Sequence, residues 1–374
     1  MTQLKKTLGL LDGISLLIGI TIGSAIFATP QIIATYQNSF SSIIVLWVIV
    51  TIFVFIGSLI YAELGSRYPN TGGEFVYISK AFGPFWGFIF GWAQLLIIRT
   101  SPAAGISLIT ANYIGYFIEI NQFQKNIIAI FIIILFGIVN YVGVERASFY
   151  NKFSSFVKTL GVAVFTSVGL FIYGGEFSNL SPSVQATQNL GPIGNFVAAA
   201  ILVLFSYLGW DRVGYVAGEM KNPKKIIPLT MFYGLSLIAL IYLGANLLYH
   251  TVLGIEGVRN SLIVASDTAS ILFGNSGATI ISLVVIISAT GSINGTMMSA
   301  SRLYYAMARD KLLFNWFNYI HPYYKTPTHS IIAHCIWGIA LLVIRQNFET
   351  IVSGMVFTIL IFYIITTLAF FKFR

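Results

Sequence analysis

The sequence predicts an all-α polytopic membrane protein with about ten spans, built from two corresponding halves. Of its 374 residues, 57% are hydrophobic and only 9% are charged, whereas a soluble domain carries roughly 25% charged residues. Apolar runs recur along the whole chain at the length of about 20 residues that a helix needs to cross a bilayer. The first and the sixth of these runs are interrupted by residues that weaken a helix.

Each of these apolar runs predicts one membrane span, and the spans are numbered in chain order. They lie near residues 10–35, 41–64, 82–116, 127–144, 153–174, 195–218, 228–251, 278–300, 329–346 and 350–371. The third run is long, which indicates a tilted helix or one that extends past the bilayer. Residues 257–277 have mixed polarity and predict a short re-entrant or surface helix. We expect a single transmembrane domain, residues 1–374, with a first repeat near 10–174 and a second near 192–371.

Basic residues mark one side of the predicted membrane. Fifteen Lys and Arg residues fall in the loops of one side, and only Lys125, Arg259 and Arg345 fall on the other. The positive-inside rule then predicts that both termini lie in the cytoplasm and that the chain spans the cell membrane. The net charge of +9 is therefore explained by the basic loops on the cytoplasmic side. Membrane lipid is an expected contact, whereas no basic stripe interleaved with aromatic residues suggests nucleic acid.

The first run contains a stretch, residues 19–30, that is poorly suited to a continuous helix. Glycine, serine, threonine and proline fall there at a depth where lipid demands that backbone groups be satisfied. Open backbone is tolerated at that depth only where it is buried in protein or faces a wet cavity. The alternative is a continuous helix whose small residues let a neighbouring helix approach closely.

The sixth run carries a second interruption, at residues 204–211. Spans one and six correspond if the chain consists of two five-span halves, and because span six starts on the opposite side, the repeat is inverted. Paired interruptions are the best sequence indication of a site near the bilayer midplane. Half-helix N-termini offer N–H groups to an anion, and freed carbonyls face a cation. An amino acid carries both charges close together and is the ligand class that this geometry favours.

Lys158 and Arg99 lie well inside predicted spans, where charge is costly and usually functional. Lys158, early in span five, either snorkels to a membrane face about two turns away or points inward. In the second case its ammonium group meets carbonyls of span one and hydroxyls of span eight, in the place of a coupling cation. Arg99, deeper in span three, either faces the bundle interior or lies near the outer end of a tilted helix.

The remaining polar residues give no sign of enzyme chemistry. Glu63 and Glu219 end spans two and six, and ion pairs are the favoured interpretation for both. Asp211 and Arg212 form either a local pair or part of a gate, and the Ser, Thr and Asn side chains of residues 288–296 serve either interhelical hydrogen bonds or the span-five lysine. The four histidines do not cluster, so we expect no metal and no cofactor. Nucleotide-binding and hydrolase motifs are absent from the sequence, and no acid, base and nucleophile cluster within it.

Several short motifs carry a resemblance to a known family. Residues 23–27 read GSAIF, residues 61–65 read YAELG, residues 219–223 read EMKNP and residues 291–295 read GSING. In this order and at these spacings the chain resembles the amino acid–polyamine–organocation (APC) superfamily with its LeuT-type fold. It is most similar to the L-type amino acid transporters and their bacterial relatives. The resemblance implies secondary transport of amino acids by alternating access.

The resemblance also implies roles for specific residues. The substrate site would consist of Thr21, Ile22, Gly23, Ser24, Ala25, Phe205, Ser206 and Leu208. The amides of Ser24 and Ala25 would hold the substrate carboxylate, carbonyls of the two breaks would hold its amino group, and the Phe205 ring would act as the extracellular gate. Lys158, with Ser292 as its contact, would replace a sodium ion, so that transport is sodium-independent, by exchange or by proton coupling.

Three departures from the family pattern bear on these expectations. Ala25 replaces a glycine, which adds a methyl group where the ligand passes close to the chain. Members usually have twelve spans, so a truncated or transport-dead relative that acts as a membrane binding or sensor protein is the alternative function. The loop at residues 117–126 has no cysteine, so we expect no disulfide-linked heavy subunit.

Overall fold

The computed structural model describes residues 8–68 and 73–374 of the chain. Lys5, Lys6 and the motif residues 69–72 lie outside the described residues, as does the side chain of Glu219. Within the described ranges the regular structure is helical, with no strand. The α-helices are α1 (Leu10–Thr21), α2 (Thr29–Tyr36), α3 (Phe40–Arg67), α4 (Glu74–Phe82), α5 (Pro84–Ala93), α6 (Thr100–Ile114), α7 (Gln122–Val142), α8 (Val144–Val168), α9 (Gly191–Tyr207), α10 (Pro223–Asn260), α11 (Val264–Arg309), α12 (Thr328–Arg345) and α13 (Phe348–Phe373).

Most predicted spans are single helical segments. In the part of the chain that the structure describes, 9 segments are long and apolar enough to cross a membrane. The first predicted span is not among them, because its two halves, α1 and α2, have only 12 and 8 residues. With this broken span added, the segments account for all ten predicted runs. The all-α polytopic fold class is therefore confirmed.

Helix α3 shows how the outer surface suits lipid. Its side chains Val45, Ile49, Ile52 and Ile56 are 55%, 46%, 53% and 57% exposed, whereas Trp47 on the opposite face is fully buried. Soluble proteins rarely expose a continuous apolar face of this kind. The exposed apolar face and the 9 apolar segments are those of a multi-pass membrane protein.

Helices α10 and α11 extend beyond their predicted spans. Each bends sharply at a glycine with a left-handed backbone, Gly254 (φ 66°) in α10 and Gly274 (φ 69°) in α11. Other residue types rarely adopt this conformation. The mixed stretch 257–277 is therefore helical, as expected, but it is not a separate element. It is shared between the bent end of α10 and the bent start of α11.

Candidate functional site

The first break separates α1 from α2. After Thr21 the chain is extended at Ile22 (φ −69°, ψ 104°), and a single tight helical turn, Ser24–Phe27, precedes α2. Pro30 lies in the first turn of α2, where its missing N–H would have had no helical partner in any case. The alternative of a continuous helix with small packing residues is therefore wrong.

The second break follows α9. Leu208 is extended (φ −58°, ψ 136°), and Gly209 has a left-handed backbone (φ 119°). A Cβ atom on Gly209 would lie 2.7 Å from Cγ2 of Ile20, so this position requires glycine for two reasons. The carboxylate of Asp211 accepts the N–H of Gly209 at 3.2 Å. Asp211 thus satisfies a backbone N–H group within the second break.

A tyrosine from α10 joins the two breaks. The Tyr242 hydroxyl lies 3.0 Å from the Thr21 carbonyl oxygen and 2.9 Å from the Ser206 carbonyl oxygen. The hydroxyls of Thr29 and Ser206 are 3.0 Å apart and add a second link. Sequence reasoning missed Tyr242, because nothing in span seven distinguishes it from the other aromatic residues there.

A cavity of about 720 Å³ lies between the breaks. Eight of the ten residues that the sequence predicted for the site line this cavity, namely Thr21, Gly23, Ser24, Ala25, Phe205, Leu208, Lys158 and Ser292. Ile22 and Ser206, also predicted for the site, are not among the lining residues and are 0% and 1% exposed. The side chains of these two residues point into the protein, so only their backbone can serve the site.

The cavity opens at the end of the bundle that carries the start of α1. Lining residues near this end are exposed, among them Asp12, Ser15, Lys152 and Ser299. At the level of the breaks, Ser24, Ala25 and Phe205 are only 1%, 6% and 7% exposed. Among the described residues, the exposed part of the lining therefore lies at this end of the cavity.

The opposite end is closed by contacts above the breaks. The ring of Phe205 packs edge-on against Phe348, the first residue of α13, with centroids 5.6 Å apart. The hydroxyl of Tyr36, at the end of α2, hydrogen-bonds to the Glu349 carboxylate. Arg259 donates from Nε to the Ala34 carbonyl at 3.0 Å. These contacts tie the outer half of the first span to α13 and α10.

Lys158 faces the interior of the bundle. Its side chain is 3% exposed and lines the cavity together with Gly19 and Ser292. The snorkelling alternative would place the ammonium group in water at the membrane face, so the burial of this side chain contradicts it. Ser292 lies close to the first break, since a Cβ atom on Gly23 would be 3.5 Å from its Oγ.

The other polar residues of span eight pair with neighbouring helices. Asn294 accepts from Asn140 Nδ2 at 2.8 Å and donates to the Ala147 carbonyl at 2.7 Å. The Thr290 hydroxyl lies 2.6 Å from that of Tyr150. The interhelical alternative is therefore confirmed for Asn294 and Thr290.

Arg99 also faces the interior. It is 5% exposed, lines the cavity and donates from Nε to the Gln94 side-chain oxygen at 2.8 Å. Its placement near the outer end of a tilted helix is thereby excluded. Glu63, in contrast, pairs with Arg67 at 2.5 Å and with Arg374 at 3.1 Å, so the ion-pair interpretation of this carboxylate is confirmed.

The histidines serve local contacts. Nδ1 of His250 lies 2.8 Å from the Asn246 carbonyl, and Nδ1 of His334 lies 3.2 Å from the Tyr304 hydroxyl. Across residues 8–68 and 73–374, no three His, Cys, Asp or Glu side chains come together as a metal site needs.

Known proteins are similar to this chain over nearly its whole length. Residues 8–374 match the family described as amino acid permease. The Serine/threonine exchanger SteT of Bacillus subtilis (strain 168) is 29% identical over 374 residues, which cover 99% of this chain and 84% of the relative. The b(0,+)-type amino acid transporter 1 of Homo sapiens is 28% identical over 376 residues, with coverage of 98% and 76%.

A further relative is the Large neutral amino acids transporter small subunit 2 of Mus musculus, which is 28% identical over 373 residues, with coverage of 97% and 69%. The resemblance to the APC superfamily is thus confirmed over nearly the whole chain, and the match is to a family of transporters rather than of enzymes. The chain belongs to the amino acid permease family.

Proposed function

We propose that the chain is a sodium-independent exchanger that moves amino acids across the cell membrane by alternating access. The observation that carries this proposal is the meeting of two broken helices around one buried cavity that opens on a single side. Paired breaks of this kind supply both N–H groups and carbonyl groups at membrane depth. The names of the bacterial exchanger and the human transporter, both of amino acids, support the same function.

The proposed binding mode uses the first break for the substrate carboxylate. The amides of Ser24 and Ala25 begin the turn Ser24–Phe27, and the first N–H groups of a helical turn have no partner within it. The hydroxyls of Thr21 and Ser24 are buried in the cavity wall and have no hydrogen-bond partner among the described residues. These groups favour an anionic oxygen-rich ligand at this position.

The amino group would then face carbonyls of the second break. The Phe205 carbonyl accepts the Leu208 N–H at 3.1 Å, and the Thr21 and Ser206 carbonyls lie near the Tyr242 hydroxyl. Each carbonyl oxygen has two lone pairs, so an oxygen that already accepts one hydrogen bond can accept a second from the substrate amino group. The Phe205 ring would separate this site from the closed end.

Lys158 would take the place of a coupling cation. A sodium ion needs a cage of oxygen ligands, and a buried ammonium beside the same break supplies the positive charge instead. We also propose that both termini are cytoplasmic, which would make the open end of the cavity the cytoplasmic end. A disulfide-linked heavy subunit remains unexpected, because the chain has a single cysteine, Cys335, within helix α12.

The test is uptake of labelled amino acids into proteoliposomes. Uptake should require unlabelled amino acid inside the vesicles, and it should be unchanged when sodium is replaced by potassium. Uptake that follows a pH gradient into empty vesicles would instead make the chain a proton symporter. Folded protein that binds amino acids without any flux would support the alternative, a transport-dead sensor, and would overturn the proposal.

A further inference from the structure

Span three changes its helical geometry where it passes the cavity. Between α5 and α6, residues Gln94–Ile98 form a π-helical turn, in which the Arg99 N–H donates to the Gln94 carbonyl at 3.0 Å. Turns of this type are rare and occur frequently at functional sites. Gln94, Ile98 and Arg99 all line the cavity, so the geometry of this turn shapes one of its walls.

The turn brings together two positions that a regular α-helix would separate. Gln94 and Arg99 lie five residues apart in the sequence, a spacing that corresponds to about 140° around an α-helix. In the π-helical turn their side chains meet, because Arg99 Nε donates to Gln94 Oε1 at 2.8 Å. The wall that span three contributes to the cavity therefore depends on the persistence of the π geometry.

Backbone carbonyls of the turn accept hydrogen bonds from side chains. A change from α to π geometry shifts the N–H partner of a carbonyl by one residue, and at membrane depth a carbonyl that loses its partner must be satisfied by protein. The Leu95 carbonyl accepts from Thr100 Oγ1, within span three, at 3.1 Å. The Leu96 carbonyl accepts from Nε1 of Trp337, in α12, at 2.6 Å. The shorter of these two bonds thus comes from a different helix.

Trp337 is placed to serve the turn and not the cavity itself. It lies in the middle of α12, is 38% exposed and is not among the residues that line the cavity. An indole N–H can only donate, and hydrocarbon offers it no acceptor. The bond to the Leu96 carbonyl therefore satisfies the indole and a backbone group of the turn at once.

A tyrosine from α11 approaches the same turn. The Tyr304 hydroxyl lies 3.5 Å from the Gln94 carbonyl oxygen and 3.2 Å from His334 Nδ1, and Tyr304 and His334 are fully buried. The first of these distances is long for a hydrogen bond between an O–H group and an oxygen. Among the described residues, Trp337 therefore provides the firmer link between the turn and a neighbouring helix.

We propose that Trp337 is a positioning residue of the transport site. Its hydrogen bond to the Leu96 carbonyl holds the π-helical turn, and the turn holds Gln94 and Arg99 at the cavity wall. This inference rests on the proposed transport function and adds to it a residue that does not touch the cavity. Without the bond the turn exchanges with α geometry and the wall loses its shape, so the apparent affinity for the transported amino acid falls while alternation between the two sides continues.

The experiment measures exchange in proteoliposomes that contain unlabelled amino acids, with labelled serine, leucine and glutamate as probes. KM and kcat are determined for the probe that wild type exchanges fastest. In Trp337→Phe, which keeps an aromatic ring and loses the N–H, KM should rise about 3- to 10-fold at unchanged kcat, since one hydrogen bond contributes about that factor. Trp86→Phe is the matched control and should change neither constant, because Trp86 is 39% exposed and does not line the cavity.

Further measurements separate positioning from a general loss of stability. Trp337→His keeps a ring N–H and should recover part of the affinity that Trp337→Phe loses. In detergent, Trp337→Phe and Trp86→Phe should melt at similar temperatures. Hydrogen–deuterium exchange across residues 94–100 should nevertheless be faster in Trp337→Phe, since the Arg99 N–H is bonded within the turn and is exposed when the turn opens.

The outcomes separate this inference from the proposed function. An unchanged KM in Trp337→Phe, or unchanged hydrogen exchange at the turn, would overturn the assignment of Trp337 and leave the exchanger intact. A lower kcat and a lower melting temperature at constant KM would make Trp337 merely structural and would also overturn it. Faster hydrogen exchange at the turn in a protein without flux would uphold the hold of Trp337 on the turn and overturn transport.

Discussion

At the scale of single residues, burial distinguishes the charges that serve the fold from those that serve the site. Glu63 and Arg67 form an ion pair near the end of α3, where their side chains are 28% and 45% exposed. Lys158, in contrast, is buried at the cavity, where desolvation of an ammonium group is expensive. Its position on the cavity wall, beside the first break, is the basis for the role that we propose for it.

The expected result of Lys158→Ala is a loss of exchange by about tenfold or more, since a hydrogen bond to a charged group contributes about 1.5–3 kcal/mol. Uptake at fixed protein density in the vesicles measures it. Lys224→Ala is the matched control, because Lys224 is exposed at the start of α10. Full activity of the Lys158 variant would refute the assignment of this lysine to the coupling position.

At the scale of elements, small residues set the distance between α8 and α11. A Cβ atom on Gly291 would lie 2.0 Å from Ser154 Oγ, and one on Gly295 would lie 2.7 Å from Asn151 Oδ1. Helices in membranes associate through such close approach rather than through a hydrophobic driving force. This close contact places the face of α8 that includes Lys158 against span eight.

Gly291→Ala should destabilise the protein by about 1–3 kcal/mol, because the added methyl group overpacks the contact with Ser154. A thermal melt in detergent would show the lower melting temperature, and Ser154→Gly in the same chain should recover part of it. Gly354→Ala is the control, since its methyl group meets nothing within 4 Å. Equal melting temperatures of the two alanine variants would contradict this account.

At the scale of the whole molecule, the helix contacts favour two related halves. Helix α8 packs against α11 as α6 packs against α13, and α1 packs against α10 as α3 packs against α9. If spans one to five correspond in order to spans six to ten, each of these contacts in one half has its counterpart in the other. We propose that residues 10–174 and 192–371 are inverted repeats, and that rocking between packed units moves the opening from one side to the other.

The open end can be located by thiol labelling in a Cys335→Ser background. A cysteine in place of Ser15, which is exposed at the cavity mouth, should react with a membrane-impermeant reagent only from the cytoplasmic side. Saturating substrate should slow this reaction if it favours the closed form. A cysteine in place of Ser183, exposed in the loop between α8 and α9, should react only from outside. The reverse pattern would invert the proposed topology.

The sequence by itself determined the fold class, the number of spans and the positions of both breaks. These follow from local chemistry, because lipid requires long apolar helices and because Gly209 and Pro30 act on the backbone within a few residues. It also indicated Lys158 as a candidate for the site, since a charge at membrane depth is conspicuous in composition.

Only the tertiary structure decided which side each ambiguous residue faces. Whether Arg99 lies inside the bundle depends on a π-helical turn that its neighbours in sequence do not signal. Tyr242 joins the breaks only because α10 packs against both of them, and Ile22 and Ser206 turn away from the cavity through packing with distant helices. Such orientations arise from contacts between residues far apart in the chain, and no local pattern encodes them.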